Sequence, residues 1–217
     1  MRMSHAAKIG LGLGLGLGAC EAALSPRQLD HGSIQVVPGA RVRTDRIGDG
    51  EFAETATFVL VDADNAGSDG AYVTLGGELS DEAGAQLGVL KPQSLWIPAG
   101  GTRAFALVDD QRKPRPGVAH ARFVVRGALT GEPPLAHVDH VREIPDDRKI
   151  VLQGSLVNDA DREGTAVVIA AFHDAQGMLM TRPYSLVALH PHGTDPIQFV
   201  GPYGSTHGTL FVGDLVY

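Results

Sequence analysis

The chain has 217 residues, 43% apolar, 20% charged and 6% aromatic, with one cysteine and a net charge of −7. Apolar content this high with charge this sparse excludes a disordered chain. A single cysteine excludes an internal disulfide framework and a cysteine-rich zinc site. The acidic balance runs against non-specific nucleic-acid binding.

The chain opens on a leader. Arg2 and Lys8 supply a short basic region, and residues 9–17 read IGLGLGLGL. This apolar run is shorter than the roughly 20 residues that span a bilayer, and it fits the core of a secretory signal peptide. Leu17-Gly18-Ala19-Cys20 follows. It resembles the lipobox of bacterial lipoproteins, with Cys20 at the modified position. The resemblance implies a signal peptide over 1–19, cleaved before Cys20, and a covalent lipid on that thiol as the chain's only added group. Two or more acyl chains anchor stably where one holds only marginally. Glu21, in place of an aspartate, implies the outer membrane, facing the periplasm. Cleavage removes Arg2, Lys8 and no acid, leaving 198 residues and a charge of −9. Such a chain gains nothing from an anionic surface, so the lipid must hold it.

The mature chain lacks helix periodicity, and strand signals dominate. Residues 119–125 alternate, with Ala121, Phe123 and Val125 on one face and His120, Arg122 and Val124 on the other. Residues 102–107 alternate similarly. Residues 166–172 (AVVIAAF) are apolar on both faces and read as a central strand, and 184–189 and 209–217 are further strands. A shift of 93 residues superposes Asn65 on Asn158, Asp81 on Asp174, Gly84 on Gly177, Pro98 on Pro191 and Gly100 on Gly193. All five are turn-forming types. The expected fold is therefore all-β, two tandem immunoglobulin-like β-sandwich domains after the cleaved leader. Residues 20–31 form a tether whose segment after Cys20 reaches roughly 35 Å if extended. The first domain covers 32–128 and the second 129–217, with a hinge at 127–134. Trp96, between Leu95 and Ile97, is expected in a core.

The strand and turn order of the second unit, with Asn158, Phe172, the Asp174–Gly177 turn, Pro191-His192-Gly193 and Phe199, resembles the FxLYD class of bacterial immunoglobulin-like domains and the small YcfL-type lipoprotein domain. The closing Phe-x-Leu-Tyr-Asp is replaced by Phe211-Val212-Gly213-Asp214-Leu215. The resemblance implies envelope proteins with no catalytic residues to carry over.

Histidine supplies the candidate metal ligands, because imidazole and carboxylate suit Zn²⁺ or Cu²⁺. An extended strand puts His137 and Asp139 on one face, and His190 and His192 share a turn. No established metal motif has this spacing. Asp62, Asp64, Asp69, Asp159 and Asp161 flank the two asparagine turns without the spacing of a calcium loop. Ser205 and His207 share a glycine-rich loop, but their separation does not make a nucleophile–base pair. His120, Arg122 and Arg126 line one strand face and are candidates for meeting an anionic partner. The expectation is a non-enzymatic, membrane-anchored binding or adaptor protein. Its partner would be an envelope protein or cell-wall component, not a nucleic acid. The alternative is a periplasmic metal-binding lipoprotein.

Overall fold

The computed structural model describes residues 27–48, 51 and 53–217; the leader, Cys20 and the tether through residue 26 lie outside the described residues. A 3-10 turn, His31–Ser33, precedes fourteen strands. The first seven are β1 (Ile34–Val36), β2 (Arg41–Ile47), β3 (Glu54–Asn65), β4 (Ala71–Ser80), β5 (Gln86–Ile97), β6 (Thr102–Val108) and β7 (His120–Thr130). The second seven are β8 (Ala136–Asp146), β9 (Lys149–Asn158), β10 (Gly164–His173), β11 (Leu179–Thr181), β12 (Tyr184–Leu189), β13 (Thr194–Val200) and β14 (His207–Val216). The protein is all-β, and every pairing is antiparallel. No described helix is long and apolar enough to cross a membrane.

The strands form four sheets. In the first half, β3 pairs with β1 and β2 along one side and β6 along the other, and β4 lies between β5 and β7. In the second half, β9 lies between β8 and β13, while β10 pairs with β11 and β12 on one side and β14 on the other. Strands distant in sequence thus become neighbours, as in Greek-key sandwiches. The halves also correspond strand for strand, with β3, β4, β6 and β7 matched by β9, β10, β13 and β14.

The matching asparagines explain this recurrence. Asn65 is fully buried; its Nδ2 donates to the carbonyls of Asp69 and Ile97, and its Oδ1 accepts from the Gly67 N–H. Asn158 repeats the set at the same offsets, donating to Arg162 and His190 and accepting from Ala160. Each side chain ties its strand end to two turns whose peptide groups would otherwise lack partners. Asp81 and Asp174 likewise cap matching turns, accepting from the N–H four residues on, with Gly84 and Gly177 at positive φ. Positive φ costs glycine nothing.

The match at Pro98 and Pro191 slips by one residue. Gly101 N–H donates to Pro98, but Gly193 N–H donates to His190. The positive-φ counterpart of Gly100 is therefore His192, at φ 50°. Both turns span four residues, but the second begins one residue sooner after its asparagine, which an ungapped shift cannot register.

β3 and β10 are buried on both faces. Within the second half, Ala166, Val168, Ala170 and Phe172 pack against Leu152, Leu156 and Ile197. The opposite face of β10, Ile169 and Ala171, joins Leu179, Phe211 and the first-half core around Leu60, Leu95 and Ala104. This is why AVVIAAF has no polar side. The first half also receives polar contacts. His173 Nε2 lies 2.8 Å from Asp62 Oδ2, and Arg41 donates to Asp174 at 2.5 Å.

The Met178 N–H, with the Arg41 guanidinium and the Gln176 N–H, holds the Asp174 carboxyl below its usual range. A depressed folded value means stability present above the unfolded carboxyl value, about pH 3.9, and lost as pH falls through the folded value. Asp174→Asn should therefore cost stability at neutral pH, with a gap to the wild type that closes in acid. Urea midpoints measured across a pH series check this; a gap independent of pH would contradict it.

Three local expectations change. Trp96 is half-buried on the outer face of its sheet, because Leu95 and Ile97 on either side take the core positions. Its Nε1 donates to the Gly131 carbonyl. Gly127 to Thr130 continue β7, so the irregular link is 131–135. Residues 27–29, expected as tether, bond to the β7 edge through Leu29 N–H to Ala128 O and Thr130 N–H to Arg27 O.

Candidate functional site

β12 reads YSLVAL. Tyrosine, valine and leucine favour a pleated, half-buried surface, and Pro183 fixes where the strand begins. One side of β12 pairs with β10; the other carries no strand among the described residues. Such edges invite pairing, and proteins blunt them with charge, proline, shortness or cover. β2 (RVRTDRI) carries four charges, β13 has Pro196, β8 has charges and Pro145, and residues 27–29 cover the end of β7. The β6 edge is capped, with Gln93 Oε1 accepting from the Ala106 N–H and the Ala104 carbonyl accepting from Arg182. Among the described edge strands longer than three residues, β12 alone has neither charge nor proline. Tyr184 and Leu186, opposite Ile169 and Val167 in register, are 52% and 66% exposed.

The edge opens on a cleft of about 760 Å³ between the halves. Phe58, Leu60, Ala106 and Val108 line it from β3 and β6, Arg43 and Asp45 from β2, and Arg182 through Leu186 from the second half. The floor is apolar, but the walls are polar and mostly basic, with Arg43, Arg46 and Arg182 against Asp45.

Arg182 is the unusual group there. Its Nε donates to Ala104 O at 2.6 Å, but its buried Nη2 has no hydrogen-bond partner among the described residues. No carboxylate pairs with it among them, and burial pushes its pKa down to about 10. The guanidinium stands 6.0 Å from the Phe211 ring centre, and Arg103, also pushed to about 10 by burial, stands 4.8 Å from it. The ring face offers each cation some compensation. Arg115 shows the ordinary solution, a bidentate pair with the buried carboxylate of Asp109 at 2.8 and 3.0 Å. A buried cation without an anion is the rarer and costlier arrangement.

Elsewhere the structure separates the residues singled out from sequence. His137 and Asp139 do share a face, Nε2 to Oδ2 at 3.3 Å, and His137 Nδ1 lies 3.2 Å from Asp159. His137 and Asp159 border a second hollow of about 450 Å³ with Trp96, Pro133 and Pro134. His190 and His192 are exposed, and their backbones hold the turn against Asn158 and Ala160. No three His, Cys, Asp or Glu side chains among the described residues converge to hold a metal ion. The aspartates near the asparagine turns are dispersed. Asp62 meets His173, Asp64 accepts from Thr102 and Asp69 pairs with Arg27.

Ser205 is buried, its hydroxyl donating to Pro202 O and accepting from the Ile150 N–H, while His207 faces Glu143. The two do not form a catalytic pair. His120, Arg122 and Arg126 share the exposed face of β7, with Arg126 lying across Gly76 and Glu78 opposite Arg122 in register. An opposite charge directly across the strands is a local partner for Arg122.

Reading along the chain missed Arg182 and the β12 edge. The lack of charge in YSLVAL was a usable signal. The lack of a partner for Arg182 is a property of three dimensions only. No family model, curated protein or solved structure matches the chain.

Proposed function

We propose that the chain is a lipid-anchored protein of the bacterial cell envelope. Its two halves, read as tandem sandwich domains, form a non-catalytic binding or adaptor module. The lipid on Cys20 confines it to a leaflet, with the outer membrane facing the periplasm favoured by Glu21, and so raises its effective concentration for partners there. The partner, an envelope protein, docks at the open β12 edge by strand addition. The observation that carries this reading is the uncharged β12 edge, unpaired among the described residues, beside a cleft with an apolar floor.

A photo-crosslinker at Ser185 in the lipidated chain, followed by mass spectrometry, should trap a specific partner in membranes. Leu186→Lys places a charge on the edge and should cut capture about thirtyfold, the lower bound of a hot-spot loss. Val124→Lys, on the exposed face of β7, should leave capture intact. Equal capture by the two variants would sink the edge as the docking site.

A further inference from the structure

The residues at the start of β12 bear on which strand the free edge would take. Pro183 precedes the strand, and its carbonyl accepts from the Ala170 N–H, so it faces β10 while Tyr184, the next residue, turns its peptide groups to the free edge. Arg182 lies one residue further back and borders the same cleft. Every pairing among the described strands is antiparallel, and antiparallel pairs predominate generally. An antiparallel guest runs its carboxyl-terminal end toward the start of β12, and therefore toward Arg182. The side chains of such a guest alternate, and one set meets the floor of Phe58, Leu60, Ala106 and Val108.

The charge at that end is uncompensated. Arg182 Nη2 has no hydrogen-bond partner and no carboxylate pairs with the guanidinium among the described residues; Arg103 Nε is likewise without a partner, whereas Arg115 is paired with Asp109. Asp45 lies in the cleft, but no ion pair joins it to Arg182; its Oδ1 accepts from the Arg46 N–H. A second copy of the chain does not answer the need. Its β12 strand contains no acid, and it would bring another Arg182.

We infer that the cleft takes an extended segment of a partner protein, antiparallel to β12, with a carboxylate at its carboxyl-terminal end received by Arg182. The carboxylate is either the partner's own terminus or an acidic side chain there. A charged hydrogen bond at a site of low dielectric contributes more than its exposed counterpart. It turns a generic edge into one that ranks its guests. This inference rests on the strand-addition reading above and adds the identity of the guest's end.

The test uses the full chain and three synthetic peptides of alternating valine and threonine, each with a soluble glycine–serine leader and a fluorophore. The first ends in a free carboxylate. The second ends in an amide after a final glutamate. The third ends in an amide and has no acid. Anisotropy should show the first or the second binding about tenfold or more tightly than the third, the weight of one charged hydrogen bond. Which of the two does so identifies the source of the carboxylate.

Arg182→Gln should abolish the preference and leave the weak binding of the third peptide, while Arg182→Lys should keep part of it. Circular dichroism confirms that both variants are folded, and if Arg182→Gln does not fold, the comparison of the wild type with Arg182→Lys carries the test. Three peptides that bind alike, or a preference that survives Arg182→Gln, would overturn the inference but leave the edge reading standing. Failure of all three to bind would overturn both. Self-association of the chain in place of peptide binding would assign the edge to a second copy.

Discussion

Asn158→Ala should destabilise the protein by about 3 to 4 kcal/mol, among the larger effects of any single substitution. The amide binds Arg162 and His190 through Nδ2 and accepts from Ala160 and the Tyr217 hydroxyl through Oδ1, at 2.8 to 3.2 Å. The residue is 1% exposed, so water cannot replace what alanine removes. Each stranded group then carries its own desolvation cost. Asn65→Ala removes the equivalent set without the tyrosine and should cost slightly less. Urea unfolding compares the two variants. A change below about 1 kcal/mol at Asn158 would show that the turns hold without it.

Cys20→Ser should abolish lipid incorporation and free from the membrane any chain that is still exported. Serine offers no thiol for the lipid. If the chain is processed as proposed, its charge of −9 gives it no hold on an anionic leaflet, so nothing would replace the acyl chains. Palmitate labelling and a salt-washed membrane pellet read the two effects. Salt-resistant pelleting of the variant would place the anchor elsewhere and withdraw the proposed attachment. The strand-binding reading, which rests on β12, would survive that result.

Much of the fold was legible because period-two alternation and turn chemistry are local. The strand at 184–189 emerged with its ends unchanged, and the turns at Asp81 and Asp174 were found from Asp and Gly at fixed offsets. Trp96 was misplaced because Leu95-Trp96-Ile97 is apolar throughout, so its alternation is invisible without a partner strand. His192 attracted attention as a ligand, yet it occupies a left-handed position that glycine fills in the first half, one that histidine tolerates better than branched residues do. The binding edge was harder to read. An open strand edge and an unpaired guanidinium are defined by what does not stand beside them, and the chain's order does not record that.

The two attachment points also have a mechanical relation. The chain joins the first half where residues 27–29 bond to the β7 edge, while the proposed guest joins the second half at β12. A pull between the proposed anchor and the proposed guest would load both the 131–135 link and the apolar face that β10 and β14 share with the first half, pinned at its rim by Arg41–Asp174 and Asp62–His173. The same face that leaves β3 and β10 no polar side is thus a joint through which load passes.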